Sequence, residues 1–180
     1  MSYIRLFVTL KITDNVALSA LHSLRTRLGF SSLGKLRRSD YWEFAFPGLS
    51  AQQARQSVEE LVQKTSFFVN PNKHDWVLQA ADCSLDREAS AVLSESVSAA
   101  ALVCDREDGK AEATLQACHD LLPGDSALSS LKRGVWWEME FKDPPRKDLA
   151  ETVQNITITK SRTQGLLANP HYQTYQFFYS

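Results

Sequence analysis

The spacing of apolar residues at the start of the chain predicts a strand followed by a helix. Residues 3–10 are rich in β-branched and aromatic side chains, a composition typical of a strand. The apolar residues that follow recur at the spacing that places side chains on one helical face: Ala17, Leu21, Leu24 and Leu28. Gly29 comes directly after this stripe, where the left-handed conformation that ends many helices favours glycine.

The same patterns predict three strands and a second helix in the rest of the first half. Residues 33–38 and 41–46 have strand character, and the Ser39-Asp40 pair between them is typical of a turn. Ser50 and Gln53 form the signature of a capping box at the start of a helix that runs to about residue 65. An Asn-Pro pair follows, and residues 75–79 supply a last strand. The predicted order is β-α-β-β-α-β.

One aromatic segment of this half occurs again in the second half. Residues 36–46, LRRSDYWEFAF, align without a gap with residues 131–141, LKRGVWWEMEF. Gly29 and Gly124 align at the same spacing, and each half carries an Asn-Pro pair ahead of its last strand. Because an internal repeat defines an architecture, two copies of one unit are expected.

The second copy shows the same signals in the same order. Residues 99–104 predict its first strand, and Pro123-Gly124 ends the helical stripe that follows, which consists of Ala111, Leu115, Cys118 and Leu122. Residues 127–132 and 135–141 predict two strands, and Asp148 with Glu151 offers a capping pair. Residues 153–167 contain the β-branched segment ITIT, so local propensity alone does not favour a helix there. A helix is predicted for these residues by analogy with the first copy. Residues 172–178 form the closing aromatic strand.

We therefore expect an α+β chain of two tandem ferredoxin-like (β-α-β-β-α-β) units, residues 1–81 and 98–180, joined by a linker over residues 82–97. In such a unit two helices cover one face of an antiparallel sheet and leave the other face bare. A tandem pair can cover the bare faces by packing its sheets together, or can join the sheet edges, as an intramolecular pseudo-dimer.

Period-two alternation divides the repeated strand into two faces. Trp42, Phe44 and Phe46, with their counterparts in the second copy, form the predicted core face. The opposite face carries the candidate interface residues Tyr41, Glu43, Trp136 and Glu138. An aromatic residue beside a repeated glutamate would suit either the junction of the pseudo-dimer or an arginine from a partner protein. The alternative is a pair of solvated glutamates beside an aromatic residue that shields the sheet.

A basic pair precedes the aromatic strand in both copies. Arg38 and Arg133 are its aligned members, with Arg37 and Lys132 beside them. One interpretation is a charged sheet edge that discourages pairing with stray strands, and the other is docking of an acidic partner surface.

Composition and charge exclude several classes of function. With 20 basic and 21 acidic side chains, the chain has no electrostatic footprint for nucleic acid. Its longest small, apolar run, residues 99–104, is far shorter than the ~20 residues that span a bilayer. The apolar run between Arg5 and Lys11 is too short for the apolar core of a secretion signal, and these residues predict a strand instead. The three cysteines form no CxxC pair, so a soluble, reduced and cytoplasmic protein is expected.

No catalytic, cofactor-binding or metal-binding residue is expected. The four histidines do not recur at matching positions of the two copies, and metal sites need clustered ligands. The sequence contains no GxGxxG, GxxxxGK[ST] or GxSxG motif. The cysteines are interpreted as buried or half-buried structural thiols.

Four short motifs occur in the order in which one known family carries them. Residues 5–11, RLFVTLK, are similar to an opening V-x-V-x-L-K strand, and residues 23–30, SLRTRLGF, to a helix that ends in L-G-F. Residues 165–177, GLLANPHYQTYQF, are similar to a closing L-L-A-N-P-x-x-x-x-Y, with residues 65–76 as a degenerate copy. Residues 108–110, Asp-Gly-Lys, are similar to a D-P-x-G-K turn, which the first copy lacks. The chain thus resembles the PurS family, the small subunit of phosphoribosylformylglycinamidine synthase.

The resemblance implies an accessory role in purine biosynthesis. The usual family member is a single unit that dimerises, so this chain resembles such a dimer fused end to end. In the family, the subunit links a glutaminase subunit to an ATP-dependent synthetase subunit and supplies no catalytic residue, and further self-association remains open here. Asn70 and Asn169 of the Asn-Pro motif join the candidate interface residues on this basis.

Two other classes of function remain open at this point. Paired ferredoxin-like units also form tandem ACT-like regulatory modules, which bind an amino acid at their junction and would need a pocket with convergent polar groups. A freestanding enzyme would need a recurrent cluster of titratable residues, which the sequence does not show.

Overall fold

The computed structural model describes residues 1–83, 98–121, 128–142, 149–162 and 164–180. The elements in these ranges are, in chain order, β1 (Ser2–Leu10), α1 (Asn15–Thr26), β2 (Leu33–Phe46), α2 (Ala51–Lys64), β3 (His74–Ala81), β4 (Ala99–Asp105), α3 (Gly109–Leu121), β5 (Ser130–Phe141), α4 (Leu149–Thr157) and β6 (Gln173–Tyr179). The predicted linker from residue 84 onward, Leu122, Pro123-Gly124, Ala127 and Asp148 lie outside the described residues.

The strands of the described residues form an antiparallel sheet in the order β3-β1-β2-β5-β4-β6. β1 pairs with β2 and β3, and β4 pairs with β5 and β6. The antiparallel direction of β2 and β5 follows from two backbone hydrogen bonds, from Ser129 N–H to the Ala45 carbonyl and from Lys142 N–H to the Ser32 carbonyl. The predicted α+β class with antiparallel strands is confirmed.

β2 and β5 are each one long strand, so the prediction of two strands joined by a Ser39-Asp40 turn is wrong. The favoured two-residue hairpin turns, types I′ and II′, need a positive φ at one or both central positions, and no described non-glycine residue adopts one. Ser39 is buried, and Asp40 pairs with Val8 as the last rung between β1 and β2. The strand continues because backbone partners are present on both sides of this pair, from β1 for residues 40–46 and from Lys142, after β5, for Ser32. Within the described residues, each half of the chain therefore shows the order β-α-β-α-β.

The described residues form two compact units, and both units draw on both halves of the sequence. The first contains residues 1–12, 39–83, 107–121 and 128–134, and the second contains residues 13–38, 98–106, 135–142, 149–162 and 164–180. The β2 strand divides after Arg38, and β5 divides after Gly134. The predicted units of residues 1–81 and 98–180 describe the sequence repeat and stay a prediction. The compact units divide the chain at other residues.

The core of the first unit is built on β1, β2 and α2. Its members include Ile4, Leu6, Trp42 and Phe44 on the strands and the buried stripe of α2, which consists of Ala54, Val58, Leu61 and Val62. Cys118 of α3 belongs to the same core, although α3 comes from the second half of the sequence.

The core of the second unit has the reciprocal composition. Trp137, Met139 and Phe141 of β5 pack with Val153 and Ile156 of α4, as the alternation of the strand predicts. The helix α1, from the first half of the sequence, adds Ala17, Ala20 and Leu24 to this core. Thus α1, from the first half of the sequence, packs in the unit that contains β4, and α3, from the second half, packs in the unit that contains β1.

Local signals place the helix ends correctly in the first half. The capping box predicted from Ser50 and Gln53 is present, and α2 begins directly after it. Gly29 has a φ of +79°, and the N–H of Phe30 donates to the Leu24 carbonyl at 3.0 Å. The chain therefore leaves α1 through the left-handed glycine that the sequence predicts.

The helix predicted over residues 153–167 is wrong beyond Thr157. α4 ends there, within the ITIT segment, and the backbone turns back so that Leu166 N–H donates to Ile156 and Ala168 N–H donates to Thr157. Gly165, with a φ of +73°, permits this turn, because a Cβ at this position would lie 1.7 Å from the Ile158 carbonyl oxygen.

Among the described helices, none is long and apolar enough to span a membrane.

Candidate functional site

The strand face opposite the helices carries a buried polar cluster in the first unit. Glu43 accepts hydrogen bonds from Arg5 Nε at 3.3 Å and from the Tyr41 hydroxyl at 2.9 Å, both at its Oε2 atom. The side chains of Arg5 and Glu43 are 3% and 5% exposed, and Tyr41 is fully buried. A second Arg5 nitrogen donates to the Cys83 carbonyl at 3.0 Å. Glu43 is therefore not the solvated glutamate of the alternative interpretation.

The second unit holds the aligned pair in a more open setting. Trp136 Nε1–H donates to Glu138 at 3.3 Å, as Tyr41 donates to Glu43 in the other copy. Trp136 is buried and packs on Phe178, whereas Glu138 is partly exposed. Its cation is Arg37 Nε, at 3.1 Å, from the neighbouring strand β2, and Arg37 also pairs with Glu140. The repeat thus preserves the aromatic donor and the carboxylate but takes the cation from a different strand.

Arg38 and Arg133 both bind an aspartate at the start of a helix. Arg38 Nε lies 3.3 Å from Asp14, whose side chain accepts the N–H groups of Val16 and Ala17 at the start of α1. Arg133 Nε lies 2.9 Å from Asp108, whose side chain accepts the Ala111 N–H at the start of α3. Each carboxylate therefore caps a helix and neutralises the repeated arginine.

The interpretation of these arginines as a charged sheet edge is wrong. β2 and β5 are interior strands, and the edges are β3 and β6. Their acidic partners were missed because Asp14 lies in the loop where the first copy departs from the D-P-x-G-K turn. Asp14 stands at the end of the first loop as Asp108 does in the second, and this signal identifies the pair once the loops are aligned.

Asn70 and Asn169 form the same turn in both copies. The Asn70 side chain accepts the Asn72 N–H at 3.0 Å, and the Asn169 side chain accepts the His171 N–H at 3.1 Å. Each backbone carbonyl accepts the N–H groups three and four residues later. Each backbone N–H donates to the side chain four residues later, which is His74 in one copy and Gln173 in the other. The Asn-Pro motif therefore has a structural role at the entrance to β3 and β6.

A basic side chain binds each of these turns. Lys11 Nζ donates to the Pro71 carbonyl at 2.7 Å, and Arg106 donates to the Pro170 carbonyl at 3.3 Å. The backbone N–H of Lys11 donates to the Lys73 carbonyl, and the backbone N–H of Arg106 donates to the Tyr172 carbonyl. Arg106 thus takes the place of the lysine that ends the opening strand of the first copy.

The histidines and cysteines of the described residues are dispersed. His119 Nε2 lies 2.7 Å from the Leu128 carbonyl oxygen, and the His171 ring meets the Tyr172 ring edge to face. No group of three metal-ligating side chains occurs in the described ranges. All three cysteines are free, and Cys104 and Cys118 are buried, as the sequence predicts. Burial raises the pKa of the Cys118 thiol from 9.0 to about 11, so it stays protonated at neutral pH.

One side of α1 forms an open groove in the second unit. Its lining residues are Leu18, Leu21, His22, Arg25, Thr26 and Ser31, and its volume is about 410 Å³. From the sequence, His22 was considered only as one of four histidines without a metal site, and this groove was missed, although Leu18, His22 and Arg25 have the spacing of one helical stripe.

Together these contacts hold the backbone in place, and both repeated glutamates form ion pairs with arginines of the same chain. No family model matches the chain, and neither a curated protein nor a solved structure matches it.

Proposed function

We propose that this chain is a non-catalytic, cytoplasmic subunit of phosphoribosylformylglycinamidine synthase. It links the glutaminase subunit to the ATP-dependent synthetase subunit and helps to keep ammonia out of solvent during transfer. Its two compact units are of the ferredoxin-like type and together correspond to the two subunits of a PurS dimer.

The observation that supports this proposal best is the repetition of contacts around the motifs of the resemblance. The Asn-Pro turn, the basic residue that binds it and the aspartate that caps the first helix have equivalent partners in both copies. These contacts require the same backbone path in both copies, which is the property expected of a fused dimer.

The composition of the compact units supports the ferredoxin-like assignment. The first unit contains β3, β1, part of β2 and part of β5, with α2 and α3, and the second has the reciprocal set. Each is an antiparallel sheet of four strand segments with two helices, the content of one split βαβ unit. A helix and a strand segment of each unit come from the other half of the sequence.

The role is tested by reconstitution with the glutaminase and synthetase subunits of the same cell. Formation of the amidine from glutamine should require this chain, whereas formation from added ammonia should not, because only the first needs ammonia transfer between subunits. The chain should also co-elute with both subunits in the presence of glutamine and nucleotide. Equal dependence of both reactions on the chain, or recovery of neither subunit, would contradict the proposal.

The same preparation tests the alternative of a tandem ACT-like module. Calorimetric titration with the common amino acids should give no heat of binding to a bridging subunit. Saturable binding of one amino acid, without recovery of the synthase subunits, would favour the regulatory module instead.

A further inference from the structure

The groove beside α1 combines exposed apolar surface with unpaired positive charge. Leu18 is 53% exposed on a helix whose opposite face is buried. His22 and Arg25 lie on the same stripe, one and two turns beyond Leu18. Within the described part of the chain, Arg25 has no ion pair. By contrast, Arg38, behind the start of the same helix, is paired with Asp14.

The polar groups of the groove leave the two basic side chains available. The Thr26 hydroxyl donates to the His22 backbone carbonyl at 2.8 Å, so it is satisfied within the helix. Arg25 lies in the last turn of α1, where a cation is also favoured by the helix dipole. The available groups are therefore the Arg25 guanidinium and the His22 ring beside the surface of Leu18 and Leu21.

The second copy shows that the fold does not require this chemistry. When α1 and α3 are aligned on their capping aspartates, their buried positions match, Ala17 with Ala111 and Leu24 with Cys118. At the positions of Leu18, His22, Arg25 and Thr26, α3 carries Glu112, Gln116, His119 and Asp120. The buried stripe is thus repeated, whereas the exposed stripe is apolar and basic on α1 and acidic on α3.

We propose that the α1 groove, defined by Leu18, Leu21, His22 and Arg25, binds a partner segment in which a carboxylate stands next to an apolar side chain. The apolar side chain covers Leu18 and Leu21, and the carboxylate pairs with Arg25 in the bidentate geometry that guanidinium favours. The groove is open along the helix, a shape suited to a peptide segment. The occupant is a protein segment of acidic and apolar composition, as charge complementarity requires.

The test uses the full chain labelled with ¹⁵N and an acetylated, amidated peptide of sequence Glu-Leu-Glu-Glu-Leu. Amide shifts should change at residues 18–31 and saturate with peptide concentration. Arg25→Gln should weaken binding about fivefold or more, because it removes the charge that pairs with the carboxylate. Arg27→Gln removes the same charge two residues later, outside the groove, and should change the affinity less than about twofold.

Several outcomes would overturn the proposal. Absence of shifts at millimolar peptide would show that no such groove binds, and equal binding of Gln-Leu-Gln-Gln-Leu would show an apolar surface without charge recognition. An equal loss in Arg25→Gln and Arg27→Gln would show only general attraction. The same shifts with inorganic phosphate at equal concentration would assign a simple anion site, and shifts that change on dilution of the free protein would show self-association. Because the probe is a peptide, these outcomes are independent of the synthase subunits.

Discussion

The two repeated glutamates have the same local partner and different environments. Each accepts a hydrogen bond from the aromatic residue two positions earlier. Glu43 and its cation Arg5 are almost completely buried, whereas the Glu138 and Arg37 side chains are 29% and 40% exposed. Loss of a buried partner leaves a desolvated charge, while an exposed pair is screened by water. The contribution to stability is therefore expected to differ between two residues that the sequence presents as equivalent.

Substitution at the two glutamates measures this difference. Glu43→Gln should lower the free energy of unfolding by about 3 kcal/mol, because Arg5 then stays buried without its carboxylate. Glu138→Gln, the matched control, should lower it by less than about 1 kcal/mol. Urea unfolding followed by tryptophan fluorescence gives both values. The double variant Arg5→Met/Glu43→Leu should recover most of the loss, and equal losses for the two single variants would contradict the assignment.

The buried thiol of Cys118 makes stability depend on pH in the alkaline range. Its pKa is about 11 in the folded chain against an ordinary value of 9.0, because burial disfavours the thiolate. The folded pKa is the higher one, so this contribution to stability is fully present below pH 9.0 and is lost as the pH rises towards 11. The expected decrease is up to about 1.4 kcal/mol per pH unit in that window. Urea unfolding at several pH values measures it.

The Cys118→Ala variant is the control for this pH dependence. It should lose the decrease that belongs to the thiol and keep the part that arises from Tyr179, whose pKa burial also raises. Identical slopes above pH 9.0 in the two proteins would show that Cys118 ionises as easily in the folded as in the unfolded chain.

At the scale of elements, strand character was predictable and strand continuity was not. Strand residues lie on both sides of Ser39-Asp40: residues 33–38 are buried only in part, at Leu33 and Leu36, and residues 41–46 are all buried. Serine and aspartate are frequent in turns, but they also continue a strand when backbone partners are available on both sides. β1 provides those partners up to Asp40. The choice between a turn and a continuous strand was therefore made by pairing with distant segments.

The loop after α4 depends on one glycine. Gly165→Ala should lower the free energy of unfolding by about 3 kcal/mol or more, since the new Cβ would meet the Ile158 carbonyl and force the backbone apart. Gly48→Ala is the matched control, because Gly48 also has a positive φ, +86°, but no atom near an added Cβ. It should cost only about 1–2 kcal/mol of backbone strain. Chemical denaturation measures both, and equal costs would contradict a steric role for Gly165.

At the scale of the whole molecule, the compact units and the sequence repeats divide the chain differently. α1 belongs to the second unit and α3 to the first, and β2 and β5 each contribute to both. Cys118 completes one core, and Ala17, Ala20 and Leu24 complete the other. Neither sequence half contains all the apolar residues of one core.

This division predicts how fragments behave. Residues 1–83 expressed alone should not unfold cooperatively as a monomer, because the core of the first unit lacks α3 and the second-unit core that α1 requires is missing. Co-expression with residues 98–180 should restore a folded complex of the two fragments. Size-exclusion chromatography and thermal unfolding by circular dichroism test both expectations. A monomeric, cooperatively folded fragment of residues 1–83 would contradict the interleaved division of the chain.

The sequence by itself determined the positions of most elements, the repeat, the face of the aromatic strand that joins the hydrophobic cores and the capping box of α2. These features depend on residues a few positions apart, so periodicity and turn chemistry are sufficient to predict them. Tertiary structure alone decided the continuity of β2 and β5, the early end of α4, the unit in which each helix packs and the partners of the repeated charges. Arg5 with Glu43 and Arg38 with Asp14 are brought together only by strand pairing and helix packing. Such contacts join residues far apart along the chain, and no local pattern specifies them.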